Sequence, residues 1–426
     1  MPTLEAQQQR YAELLVQIGV NLQPGQPLAI SAEHEHAPFV YQLAAAAYRA
    51  GAPFVQVDWQ DDLLVRQRLL HSAPEHLEFV PDYTVTRMRE FLERDFASLA
   101  LTGPQVPDAL DDVDAGALRK TIAARAARTR FYNDAAMGNA FQWCVAAVPT
   151  AAWAQQIFPA LDPGAAVARL WPVILDTVRV NEPDPVAAWR AHDQRLNRVC
   201  AYLMRSQVRA LHFHDPAPGP DGQASTDLTI GLTDAPVWVG PSSVTPRGVR
   251  FLANMPTEEV FTSPHRTRAE GWVRTSKPGF PLGRRVDNAW FRFAGGKVVE
   301  FGAERGADAL AQFFQIEDAD RLGEVALVDV RSPINRTGLL FHELLFDENA
   351  ACHIAFGRAY FEGVAGGLAM SAEERSAAGL NGSDTHKDFM IGTATMNVAG
   401  ITADGSRVPV MEQGQFVDAA FAAAPA

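Results

Sequence analysis

What most restricts this chain is a change of texture near residue 205. Before it, helix-like and strand-like segments alternate; after it, short strand-like runs are broken by Gly, Pro and Asp. Leu4 to Ile18 has helical spacing, and Gln26 to Ser31 is a short apolar run after the Pro24-Gly25 turn. Ala37 to Ala50 is an Ala-rich helix stopped by Gly51. Pro53 to Asp58 reads as a strand, Pro81 to Asp95 contains a helix, and Phe96 to Thr102 reads as another strand. Such alternation predicts a parallel sheet covered by helices. From about 116 to 204 helical character dominates. Strand signals then return at Thr226 to Ile230, Val237 to Val239, Trp290 to Phe293, Val298 to Phe301 and Val325 to Val330. The expectation is an α/β protein of two domains: residues 1–205, α/β with a parallel sheet, and residues 206–426, mixed α+β and rich in strands.

The chain has 426 residues, 47% apolar and 20% charged, enough to build two cores. Lys and Arg number 37 against 50 Asp and Glu, a net charge of -13 that disfavours nucleic acid and anionic membrane surfaces as partners. Cys144, Cys200 and Cys352 are too few and too scattered for a disulfide framework. With no basic and apolar leader at the N-terminus, a cytoplasmic location is expected. The uncharged stretch 135–161 contains two prolines and reads as buried structure rather than a membrane span.

Several familiar signatures are missing. His342-Glu343-Leu344-Leu345-Phe346 lacks the second histidine of a zincin helix, and no serine-hydrolase elbow, Walker loop, GxGxxG fingerprint or CxxC pair is present. The second half instead sets polar clusters into apolar runs: PTEEVFTSP at 256–264, GEVALV at 323–328, FDENAACHIAFGRAY at 346–360 and NGSDTHKDFMIG at 381–392. Polar groups in buried stretches are costly unless paired or ligated. In an extended HKDFMIG segment, His386 and Asp388 face the same side and can reach one ion. His34 with His36 and His212 with His214 share that spacing but lie away from the other clusters, and are read as structural.

Together and in this order, the four clusters resemble those of the aminopeptidase T (aminopeptidase S) family, M29, of dinuclear metallopeptidases. The resemblance runs over essentially the whole chain. It implies metal ligation by Glu258, Glu324, His353, His386 and Asp388, and places Tyr360 at the metal centre. FHELLFDEN departs from the threonine-containing pattern of the family just before the DEN motif. Three carboxylates, two imidazoles, two divalent cations and one hydroxide form a neutral set, and oxygen and nitrogen donors suit Zn²⁺, Co²⁺ or Mn²⁺.

The expected chemistry is metal-assisted hydrolysis of the N-terminal peptide bond of short peptides. Glu259 is nominated to transfer the proton, although in a strand it points away from Glu258, and Tyr360 to stabilise the oxyanion or bind metal. Glu343, Asp347 and Glu348 are further candidates for the substrate amine, with capping or ion-pair roles as alternatives. Arg266, Arg268 and Lys277 could contact substrate. The resemblance also implies a homodimer. Two other readings are open: a mononuclear iron dioxygenase using His353, His386 and Asp388 as a facial triad, and a binding module with a structural metal.

Overall fold

Alternating amphipathic helices and buried strands dictate a layered α/β unit in the first half, and the computed structural model, which describes residues 2–107, 109–110, 112–219 and 222–422, contains it. Strands run in the order Val55–Gln60, Leu28–Glu33, Ala97–Thr102, Trp143–Ala147 and Asn254–Met255, all parallel. Leu28, Ala29 and Ile30 are buried in succession, as a sheet covered on both faces requires. Helices Leu4–Leu14 and Ala37–Arg49 begin where expected; Thr3 caps the first by accepting the Ala6 N–H.

Trp143–Ala147 corrects the helical reading of residues 116–204. WCVAA is short and apolar throughout, so it carries no alternation to separate a doubly buried strand from a helix. It sits inside the uncharged stretch 135–161, between the helices Ala115–Met137 and Ala151–Ile157.

The chain forms two compact units. One comprises Met1–Trp189 and Ser242–Pro256, the other Arg190–Pro241 and Thr257–Ala426. The partition therefore differs from a single cut at 205. Asn254–Met255 returns to pair with Trp143–Ala147 in the first sheet, and most of the helix Pro185–Arg205 belongs to the second unit. A cut read from local texture cannot register a segment that crosses back.

The second unit has two antiparallel sheets. The larger, eight-stranded, runs Lys297–Gly302, Trp290–Ala294, Pro264–Arg274, Ala224–Leu232, Ala210–Pro218, Asn397–Ile401, Arg407–Glu412 and Gln415–Phe416. Gly295 and Gly296, both at positive φ, turn the hairpin between its first two strands. The 215–222 turn lies partly outside the described residues, at 220 and 221; its flanking strands pair.

The smaller sheet orders Glu259–Thr262, Leu322–Val328, His353–Gly357 and His386–Met390. Val260, Val325, Leu327, Ile354, Phe356 and Phe389 share one core with Phe291 and Phe293. The Phe291 ring meets those of Phe356 and Phe389 edge-on, with centroids 4.9 and 5.2 Å away. Strand alternation then sends the intervening residues to the opposite face, which carries the polar clusters.

Candidate metal centre

Register decides which side chains share that face. Across the sheet, Glu324 pairs with Ala355 and Ala355 with Asp388; Ala326 pairs with His353, Gly357 with His386, and Val328 with Glu259. Residues paired across antiparallel strands project to the same side. Glu259, Glu324, His353, His386 and Asp388 therefore converge, while Ala326 and Ala355 keep the floor between them low.

A bulge at Gly323 makes this convergence possible. Leu322 pairs with Phe356 and belongs to the core, yet Glu324, two residues on, faces the polar side. In a regular strand the two would point the same way; one irregular residue re-aims the second. Gly323 also suits the position because a Cβ there would lie 2.2 Å from the Gly357 carbonyl oxygen.

The donors form two triplets sharing one member. Glu259, Glu324 and His353 bring one ligand atom each within 4.8 Å of one another, and so do Glu324, His386 and Asp388. His353 Nε2 lies 3.1 Å from Glu259 Oε2; His386 Nε2 lies 3.1 Å from Glu324 Oε2 and 3.4 Å from Asp388 Oδ1. Both histidines are oriented from behind. His386 Nδ1 is 2.7 Å from the Arg358 carbonyl and His353 Nδ1 is 3.2 Å from that of Ala351. A carbonyl only accepts, so each Nδ1 carries the proton and each Nε2 presents its lone pair to the carboxylates when the ring is neutral. That is the arrangement of metal-binding imidazoles.

The electrostatics of the metal-free cluster agree. Burial raises the Glu324 carboxyl, partly opposed by His386. Burial alone would raise Asp388, but His386 and His353 hold it far below the carboxylate range. Burial opposes charging of His353 and His386, yet the carboxylates around them push both well upward. Buried acids and imidazoles are thus left to share protons, and the buried Glu259 Oε2 has His353 Nε2, at 3.1 Å, in place of a well-aligned hydrogen-bond donor. An unsatisfied carboxylate oxygen beside imidazole lone pairs suits a divalent cation.

Glu258 is not in the cluster. It points the other way, its Oε2 3.6 Å from His192 Nε2, and the donor position expected of it is taken by Glu259. The two glutamates are exchanged because Val260 faces the core, which puts Glu258 on the core side and Glu259 on the polar side. Tyr360 stands at the site as expected: its ring centroid is 4.8 Å from that of His386, and burial with the charges of Glu324 and Asp388 pushes its hydroxyl well upward.

Glu348 joins the site at its margin. Burial, then the charges of Asp388, Glu259 and Glu324, push its carboxyl well upward. Its position just after Asp347 in the DEN motif was the only hint in the sequence. Asp347 is a loop brace, accepting the Phe341 N–H at 2.9 Å. Arg268 pairs with Asp234 at 2.8 Å and Arg266 with Asp318 at 3.7 Å, while burial pushes the Asp347 carboxyl up to about 6, partly opposed by the Phe341 N–H and the charge of Lys277. His192 had no sequence signal.

Two donor triplets around a shared carboxylate, buried apart from the half-buried His386, lie on one face of an antiparallel sheet and suit a carboxylate–histidine metal centre of the hydrolytic kind. Residues 4–416 match the model of the thermophilic metalloprotease family (M29), and the chain belongs to that family. It is 40% identical to aminopeptidase 2 of Geobacillus stearothermophilus, over 97% of this chain and 98% of that one. With aminopeptidase T of Thermus aquaticus the identity is also 40%, over 96% and 98%. The solved structure of wild-type AmpT from Thermus thermophilus superposes with a TM-score of 0.89 at 38% identity, covering 97% of this chain and all of that one.

Proposed function

We propose that this chain is a metal-dependent aminopeptidase that hydrolyses the N-terminal peptide bond of short peptides. The observation that carries the reading is Glu324, common to both donor triplets, so that one carboxylate would help to hold two ions. Glu259, Glu324 and His353 would hold one cation, and Glu324, His386 and Asp388 the other. Zn²⁺, Co²⁺ or Mn²⁺ fits such donors. When bound, such ions would lower the pKa of a water and polarise the substrate carbonyl.

The remaining groups handle protons and charge. Glu348, at the margin of the donor set and within electrostatic reach of it, takes the proton of the attacking water and returns it to the leaving amine. Glu259, which the sequence nominates for that role, would instead hold an ion. The Tyr360 hydroxyl donates a hydrogen bond to the carbonyl oxygen as negative charge develops there. The names of the relatives support peptide substrates. Family likeness is the support for a homodimer; among the described residues no helix is long and apolar enough to cross a membrane.

The iron dioxygenase reading needs only His353, His386 and Asp388, and leaves Glu259 and Glu324 buried without purpose. Chelated protein should release no N-terminal residues from short peptides, and titration with Co²⁺, Zn²⁺ or Mn²⁺ should restore release at two ions per chain. Saturation at one ion, or no release after remetallation, would overturn the proposal.

A further inference from the structure

The alternation that turns Glu259 toward the donor cluster turns Glu258 into the protein, where Val260 belongs to the core. A carboxylate there must be held. Glu258 is only 6% exposed, and facing it is His192, 7% exposed, on the helix Pro185–Arg205. Leu196, Val199 and Leu203 of that helix lie in the same core. His192 Nε2 is 2.9 Å from the Thr257 carbonyl and 3.6 Å from Glu258 Oε2. Since the carbonyl can only accept, this nitrogen carries a hydrogen and donates it.

The same backbone is gripped from a second direction. The Glu258 N–H donates to Asn349 Oδ1 at 2.7 Å. Asn349 is fully buried; its Nδ2 donates to the Leu345 carbonyl at 2.9 Å, and its own carbonyl accepts the Ser332 hydroxyl at 2.8 Å. Asn349 directly follows Glu348 and stands four residues before His353. The two residues preceding Glu259 are thus hydrogen-bonded on one side to the helix and on the other to the segment between two further members of the site.

We propose that His192, Glu258 and Asn349 are positioning residues that fix Glu259 against Glu348 and His353, and so set the geometry in which the metal centre binds its ions. None of the three is a member of a donor triplet. They act through the backbone of Thr257 and Glu258. The inference rests on the metal-centre reading above. Partners hydrogen-bonded directly to metal ligands are worth about 10- to 100-fold in metal affinity, and His192 and Asn349 hold the backbone that carries one.

The test uses the full chain, stripped of metal and titrated with Co²⁺. Affinity, the visible absorption of the Co²⁺ form, unfolding of the metal-free protein, and kcat and KM are read together. His192→Ala and Asn349→Ser should each weaken Co²⁺ binding by about 10- to 100-fold and change the absorption band, and kcat at saturating Co²⁺ should fall with little change in KM. His192→Gln, whose amide can still donate to the Thr257 carbonyl, should recover most of the affinity. If His192→Ala does not fold, Asn349→Ser and His192→Gln carry the same comparison. Wild-type affinity and absorption in the Ala and Ser variants would overturn the proposal, whether kcat falls or not. Failure of the underlying reading looks different: wild-type protein would bind no stoichiometric Co²⁺, or Glu324→Gln would bind it as the wild type does.

Discussion

Ala355 shows how much of the site depends on what is small. It lies between Glu324 and Asp388 in register, fully buried, on the face where the donors converge. A larger side chain there would stand where the carboxylates meet. Ala355→Val adds two methyl groups to a packed floor, so about 1–3 kcal/mol of stability should be lost. Isothermal titration with Co²⁺ should show weakened binding even where the protein remains folded. Unchanged affinity would mean that the floor has slack. At the same scale, the Ala351 and Arg358 carbonyls hold the Nδ1 protons of His353 and His386, so that Nε2 is the nitrogen each ring frees when it loses a proton. The types of these residues were legible in the sequence, but which glutamate of the Glu258-Glu259 pair faces the site was not. A pair of equal residues offers no contrast in polarity, and the choice is made by Val260 packing into the core.

Among the elements, the strand Leu322–Val328 carries the most information, because its bulge separates a core residue from a donor two positions apart. A Cβ at Gly323 would meet the Gly357 and Arg358 carbonyl oxygens at 2.2 and 2.4 Å, both backbone atoms that cannot swing aside. Gly323→Ala should therefore destabilise the protein by about 1–3 kcal/mol. Urea denaturation followed by fluorescence would measure it, and Co²⁺ affinity should fall in parallel as Glu324 is displaced. A stability loss with intact affinity would show that the bulge serves packing alone. The four donor-bearing strands are paired in the spatial order 259–262, 322–328, 353–357 and 386–390, which follows chain order. Even so, simple alternation along Leu322–Val328 would have put Leu322 and Glu324 on one face, and no residue pattern in the segment announces the irregularity.

For the molecule as a whole, acid sensitivity has an identifiable contributor far from the chemistry in sequence. His36 ends the turn His34–His36 after the first strand and is completely buried. Burial pushes its pKa from 6.5 down to about 4. The unfolded chain therefore binds a proton that the folded chain refuses between those values, so the contribution to stability is complete above about pH 6.5 and is lost as the pH falls toward 4. At about 1.4 kcal/mol per pH unit this is about 3 kcal/mol. The urea midpoint of the wild type should fall more steeply between pH 6.5 and 4.5 than that of His36→Gln; equal slopes would remove His36 from the account.

Taken by itself, the sequence determined the alternating α/β first half, the strand-rich second half and four segments holding nearly every residue of the metal centre, because helix and strand periods and clustered donor types are local properties. Only the tertiary structure decided that Trp143–Ala147 is a central strand, that residues 254–255 cross back to extend the first sheet, that Glu259 rather than Glu258 meets His353, and that His192 and Asn349 stand behind them. Each of these is fixed by what packs against a segment from a distant part of the chain, and local residue spacing holds no record of that neighbour.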